Sequence, residues 1–151
     1  MEHCDFMILF HSMKNHLSTG VNAVLKDLPD CHFWSLHKLY IMIQEYGNCD
    51  GIYISDLLKE INHPPQSVSR MLKQLEKKNC IVRTNDKDDH RKVYVQLTEY
   101  GKECHRQCEQ VLKEYVVKIE NVYGTASLEQ LLRDLKKLDE SIASVNQSTG
   151  R

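Results

Sequence analysis

The sequence predicts a mainly helical chain with one small β-hairpin, and three observations carry that prediction. Apolar residues recur every three or four positions through most of the chain. Two short runs rich in β-branched residues, Ile81-Val82-Arg83-Thr84 and Val93-Tyr94-Val95-Gln96-Leu97, flank a polar loop, NDKDDHRK, too charged to be buried. Gly, Pro and Asn stand where the periodicity changes.

Each element follows in order. Phe6, Phe10, Met13, Leu17, Val21 and Val24 mark a long amphipathic helix over residues 5–26, broken at Leu28-Pro29-Asp30. Phe33, Leu36, Leu39, Tyr40 and Ile43 mark a second over 33–46, ended by Gly47. Ile52-Tyr53-Ile54 reads as a strand too short to stand alone, and Ser55 as the N-cap of a third helix, Asp56–Ile61, with Leu57 and Leu58 inward. Pro64 is held extended by Pro65, which serves as the first residue of a fourth helix, where its missing N–H costs nothing. Val68, Met71, Leu72 and Leu75 fall at i, i+3, i+4 and i+7 and define its buried side. Asn79 closes it in a left-handed conformation.

Beyond the hairpin, Thr98 caps a helix through about Tyr123, although Gly101 stands where a capping box would place Glu or Gln. Gly124 ends that helix and Ser127 starts the last one. There Leu128, Leu131, Leu135, Leu138, Ile142 and Val145 form a heptad seam. A polar, frayed tail is expected from Asn146 onward.

With 151 residues, 41% hydrophobic and 27% charged, the chain suits one compact domain with helical extensions. No apolar run reaches the roughly 20 residues that span a bilayer. The start, MEHCDFMILF, lacks the basic head and cleavage site of a signal peptide. A cytoplasmic protein with reduced thiols is expected, and its six cysteines include no CxxC pair. GxSxG, P-loop, dinucleotide-binding glycine and HExxH patterns are all missing, so neither an enzyme nor a cofactor is expected.

Charge is segregated. Residues 63–92 hold eight Lys/Arg against four Asp/Glu, while residues 1–62 hold four against eight. A localised basic patch of this kind fits a polyanion, and a merely solvated helix face is the alternative. The fourth helix puts Gln66, Ser67, Ser69, Arg70 and Lys73 opposite its apolar stripe. Strand, helix, turn, helix and hairpin, in that order, make a winged helix-turn-helix. In such a fold these side chains reach base edges and phosphates in a major groove, and Lys87, His90 and Arg91 in the hairpin loop lie against the adjoining backbone or minor groove.

Ser69-Arg70, Leu75-Glu76-Lys77-Lys78, Ile81, Arg83, Asp89-His90-Arg91 and Leu97-Thr98-Glu99-Tyr100-Gly101 together resemble the MarR (multiple antibiotic resistance regulator) family of bacterial transcription factors. The match spans about residues 55–101. Asn79 stands where the family carries glycine, His90 where a second Arg is common, and Cys80 where a larger aliphatic residue is usual. The resemblance implies a homodimer docking two winged helices on a palindromic operator. Residues 1–30 and 99–151 would then form the dimerisation region and residues 31–98 the DNA-binding region. It implies a repressor that releases double-stranded DNA on sensing a small-molecule effector, and it makes Arg83 and Asp89 braces of the wing rather than readers of bases. The apolar seams of the first, fifth and sixth helices, too extensive for a small winged domain to cover, agree with dimerisation.

Phe33, Trp34 and His37 are candidates to line an effector cleft, and equally good as packing. Cys104 and Cys108 continue an apolar stripe with Val111, Tyr115, Ile119 and Val122, which favours a core role over a sensor. A thiol- or metal-responsive sensor, with Cys4 as a redox candidate, and a winged helix used for protein–protein contact are the competing functional readings. His3, His11, His16, His32 and His37 cluster on the first two helices but show no HxxxH or tight Cys/His group, so no metal site is expected.

Overall fold

The computed structural model describes the backbone of residues 3–149 and the side chains of residues 5–149. In chain order the elements are α1 (His3–Leu25), α2 (Phe33–Tyr46), β1 (Gly51–Tyr53), α3 (Ile54–Glu60), α4 (Pro65–Lys77), β2 (Ile81–Asn85), β3 (Val93–Leu97), α5 (Glu99–Tyr123) and α6 (Thr125–Thr149). The sheet is antiparallel in the order β1-β3-β2, with Val95 opposite Ile52 on one side and Arg83 on the other. β1 is therefore stabilised by pairing with the hairpin.

The chain divides into two compact units, residues 1–112 and 113–151. The first holds the core. Leu36 and Leu39 of α2, Ile52 of β1, Leu57 of α3, Leu72 and Leu75 of α4 and Val95 of β3 are fully shielded from water. Burying each such side chain stabilises the fold by roughly 1.5–3 kcal/mol. The second unit contains the end of α5, a turn at Gly124 with φ 96°, and α6, which buries no residue completely.

Two local motifs hold α4, the wing and α5 in register. α4 ends in a Schellman motif: Cys80 N–H reaches the Leu75 carbonyl at 3.0 Å and Asn79 N–H the Glu76 carbonyl at 2.9 Å. Asn79 takes the left-handed position, φ 58°, where the sequence places it. Thr98 then ties the start of α5 to this turn. Its N–H donates to the Cys80 carbonyl (3.0 Å), its hydroxyl donates to the Asn79 carbonyl (2.6 Å), and its Oγ1 accepts from Gly101 N–H (2.9 Å). A Cβ on Gly101 would collide with the Cys80 carbonyl. This close approach explains why the capping box lacks its acid.

Several sequence expectations shift. Ile54 is already helical, so Tyr53 and not Ser55 occupies the N-cap of α3, without a side-chain cap. Leu57 is buried but Leu58 is exposed. The Gly124 carbonyl accepts from Leu128 N–H at 2.9 Å, so α6 starts at Thr125 rather than Ser127. The tail from Asn146 stays helical to Thr149, with the Ser148 and Thr149 hydroxyls donating to the Val145 carbonyl. Cys104 and Cys108 are buried, whereas Val122, on the same stripe, is almost wholly exposed.

Candidate nucleic-acid interface

Pro64 is extended (φ −58°, ψ 142°) and Pro65 opens α4, as the sequence requires. The Pro64 carbonyl accepts from Ser67 and Val68 N–H at 2.9 and 3.2 Å, which fixes the first turn. With Val68, Met71, Leu72 and Leu75 buried, Gln66, Ser67, Ser69, Arg70 and Lys73 all stand exposed on the other side. The fold thus brings the expected helix residues onto one open face.

The wing is organised by Asp86, which sequence reasoning missed. Its Oδ1 accepts from the N–H groups of Asp88 (2.9 Å) and Asp89 (3.0 Å), and its Oδ2 from the Tyr53 hydroxyl (2.5 Å). The Tyr53 hydrogen bond, with the two backbone N–H groups, holds the Asp86 carboxyl down at about 2. An Asp accepting from N–H two residues on is an Asx turn, a signal present in Asn85-Asp86-Lys87-Asp88. Lys87 and His90 are exposed at the loop, and Arg91 is 93% exposed, its Nε 3.3 Å from Asp89.

Arg83 grips Glu76, with Nε 3.2 Å from each carboxylate oxygen and a further short contact from its terminal nitrogen. This bidentate contact joins β2 to α4 and lowers the Glu76 pKa below the ordinary carboxylate value. Asp89 instead stays inside the loop, accepting from the N–H and Nε of Arg91. Arg83 thus braces β2 against α4 through Glu76, and Asp89 braces the loop itself.

A sorting of cations results. Lys78 pairs with Asp30 at 2.9 Å, Arg83 with Glu76, and Lys102 with Asp50 and Glu99 at 2.7 Å each. Among the described residues, Arg70, Lys73, Lys87 and His90 have no carboxylate partner. Lys78, Arg83 and Lys102 are thus neutralised within the fold, whereas Arg91 of the wing, although exposed, keeps its contact with Asp89.

Phe33 and Trp34 line a cavity of about 460 Å³ with Leu25, Leu28, Cys31 and Cys108. Phe33 is buried and Trp34 is 63% exposed. His37 does not line it. Its Nδ1 lies 2.9 Å from Nε2 of the buried His105, whose ring stacks on Tyr40 with centroids 4.1 Å apart. The Cys31 and Cys108 sulfurs are 3.9 Å apart, and burial pushes the Cys31 thiol up to about 12 and the Cys80 thiol up to about 11. Burial therefore favours the protonated form of these two thiols at neutral pH. Cys4 lies outside the described side chains. Among the described residues no group of three His, Cys, Asp or Glu converges to hold a metal, and no helix is long and apolar enough to cross a membrane.

The fold and this face define a winged helix-turn-helix whose second helix presents an open basic and polar surface. The family model for MarR matches residues 42–93 of the chain. It is 36% identical over 85 residues to an uncharacterised HTH-type transcriptional regulator, YdgJ of Bacillus subtilis (strain 168), an alignment covering 56% of this chain and 51% of YdgJ. The chain thus spans about half the length of that relative. It is 28% identical over 110 residues to the HTH-type transcriptional regulator FarR of Neisseria gonorrhoeae, covering 71% of this chain and 73% of FarR. Among solved structures, a mutant MarR from E. coli complexed with operator DNA aligns with TM-score 0.68 and 22% identity, over 89% of this chain and 93% of that one. At that identity the likeness shows a shared fold.

Proposed function

We propose that the protein is a sequence-specific DNA-binding transcriptional regulator acting in the cytoplasm, a repressor that holds a palindromic operator as a homodimer. The observation that carries this reading is the open face of α4, where Gln66, Ser67, Ser69, Arg70 and Lys73 stand exposed and both cations lack a carboxylate partner. Arg, Gln and Ser have the donor geometry for base edges, and Lys suits phosphates. Lys87, His90 and Arg91 extend the basic surface along the wing, which Asp86 and the Arg83–Glu76 pair hold in shape. Similarity to two HTH-type transcriptional regulators, and a fold shared with a MarR bound to operator DNA, support the same reading.

In this reading residues 1–30 and 99–151 form the dimerisation region and residues 31–98 the DNA-binding region. Exposed Phe6, Ile8 and Leu9 on α1 and Val145 on α6 support burial against a second copy. A small, partly apolar effector would enter the cavity beside Phe33 and Trp34, with His37 serving as packing. The chain carries out no catalysis in this account. Selection of bound sequences from random duplex DNA tests it: a palindromic consensus is expected, and recovery of no enriched sequence would leave the wing as a protein–protein contact surface.

A further inference from the structure

The open cations do not stop at α4. Lys38, on α2, places its Nζ 2.6 Å from Nε2 of His63, in the turn before α4. His63 directs Nδ1 to the Asn62 carbonyl at 2.5 Å. An imidazole donating there keeps a lone pair at Nε2, into which the ammonium donates. Neither group has a carboxylate partner among the described residues. Both line a concavity of about 340 Å³ shared with Trp34, Ser67, Arg70 and Gln74. Every charged or titratable group in that lining is basic.

We propose that Lys38 and His63 form a phosphate-binding pair that grips the DNA backbone beside the groove occupied by α4. The proposal rests on the DNA-binding reading and extends it to residues outside the recognition helix. His63 consumes one of the three donors on Lys38 and leaves two for phosphodiester oxygens. By holding the ammonium in place before DNA arrives, it lowers the entropic cost of ordering a long side chain. Lysine acts here as a point charge, suited to a phosphate and indifferent to sequence. Ser67 and Gln74 supply neutral donors to the same concavity, and Arg70 connects it with the base-reading face. In helix-turn-helix docking the helix before the recognition helix crosses the phosphate backbone, and His63 lies in the turn that joins that helix, α3, to α4.

The test is fluorescence anisotropy of a labelled mixed-sequence duplex, titrated with the full chain across a salt series. Wild type is compared with Lys38→Met, Lys38→Gln, His63→Gln and Arg70→Ala, each checked for fold by circular dichroism. Both Lys38 variants are expected to bind about three- to tenfold more weakly at low salt and to lose about 0.9 from the log–log salt slope, the loss of one phosphate contact. His63→Gln is expected to weaken binding less, since the ammonium remains. If the folded Lys38 variants match wild type while Arg70→Ala is weaker, the phosphate pair is wrong and the DNA-binding reading stands. If wild type binds no duplex at low salt, both fall. Inorganic phosphate, titrated alone and followed by the His63 ring resonances, covers the other source of this chemistry. Saturation by free phosphate with unchanged duplex affinity in the Lys38 variants would assign the site to a small anion and overturn the proposal.

Discussion

Along α4, Val68, Leu72 and Leu75 are shielded by the helices and sheet of their own chain, whereas along α6 Leu128, Leu131, Leu135 and Leu138 are only half-covered, and Ile142 and Val145 are 43% and 61% exposed. Both stripes repeat at helical spacing and look alike in sequence. Periodicity thus reports that a face is meant to be covered, and says nothing of what covers it. α4 finds its cover inside residues 1–112, and its polar side is thereby left fixed and open. α6 does not find full cover, which is the condition for a second copy to supply it.

The sharpest way to break this comparison is to damage each stripe. Leu72→Ala leaves a cavity in a closed core and is expected to cost about 2–5 kcal/mol, measured by urea unfolding. Leu135→Asp places a charge in the proposed interface, where a buried uncompensated charge costs about 3–5 kcal/mol. Dissociation to a 17.7 kDa species in sedimentation equilibrium is expected, with the hairpin and α4 still folded. If Leu135→Asp leaves the assembly unchanged, α6 is not an interface. If Leu72→Ala costs under 1 kcal/mol, the core does not close as described.

The polar side of α4 gives the next largest effect. Arg70→Ala is expected to cost roughly 1–3 kcal/mol at the preferred operator and to relax base preference at one position. Lys73→Ala should weaken all sequences alike and reduce the salt slope by about one. Unchanged affinity in both, with the fold intact, would remove α4 from the interface.

What was legible in the sequence was whatever obeys a local rule. Pro65 at a helix start, the Val68–Leu75 stripe, Asn79 at the left-handed position and Thr98 as a cap each depend on neighbours a few residues away. The open face of α4 followed by elimination once its buried side was identified. What was illegible depends on distant partners. Ser55 failed as a cap because pairing of Tyr53 with Tyr94 ends where the helix begins, which leaves no residue to spare. Arg83 takes Glu76 because β2 runs back beside the end of α4. His37 left the effector candidates because His105, 68 residues later, claims it. Asp86 lay in view as an Asx turn, but its Tyr53 partner is 33 residues away.

The smallest expected effect concerns this Asp86 and follows from pH. Its carboxyl is lowered from an ordinary 3.8 to about 2 because the charged form accepts from the Tyr53 hydroxyl and from the Asp88 and Asp89 N–H groups. A group whose pKa is lower in the folded state stabilises that state fully above its unfolded value. That contribution is lost as pH falls from about 3.8 to about 2. The wing is therefore expected to keep its shape to pH 4 and loosen below it, read from the Asp88 and Asp89 amide resonances during an acid titration. Asp86→Asn retains an oxygen for the backbone N–H groups but carries no charge, so its wing should lose this acid step and exchange its amides faster at neutral pH. Amides that titrate in wild type with a midpoint near 4 would mean that the carboxylate is not held. The loop carrying Lys87, His90 and Arg91 would then have to be ordered by DNA rather than in advance of it, at the entropic cost that a pre-formed loop avoids.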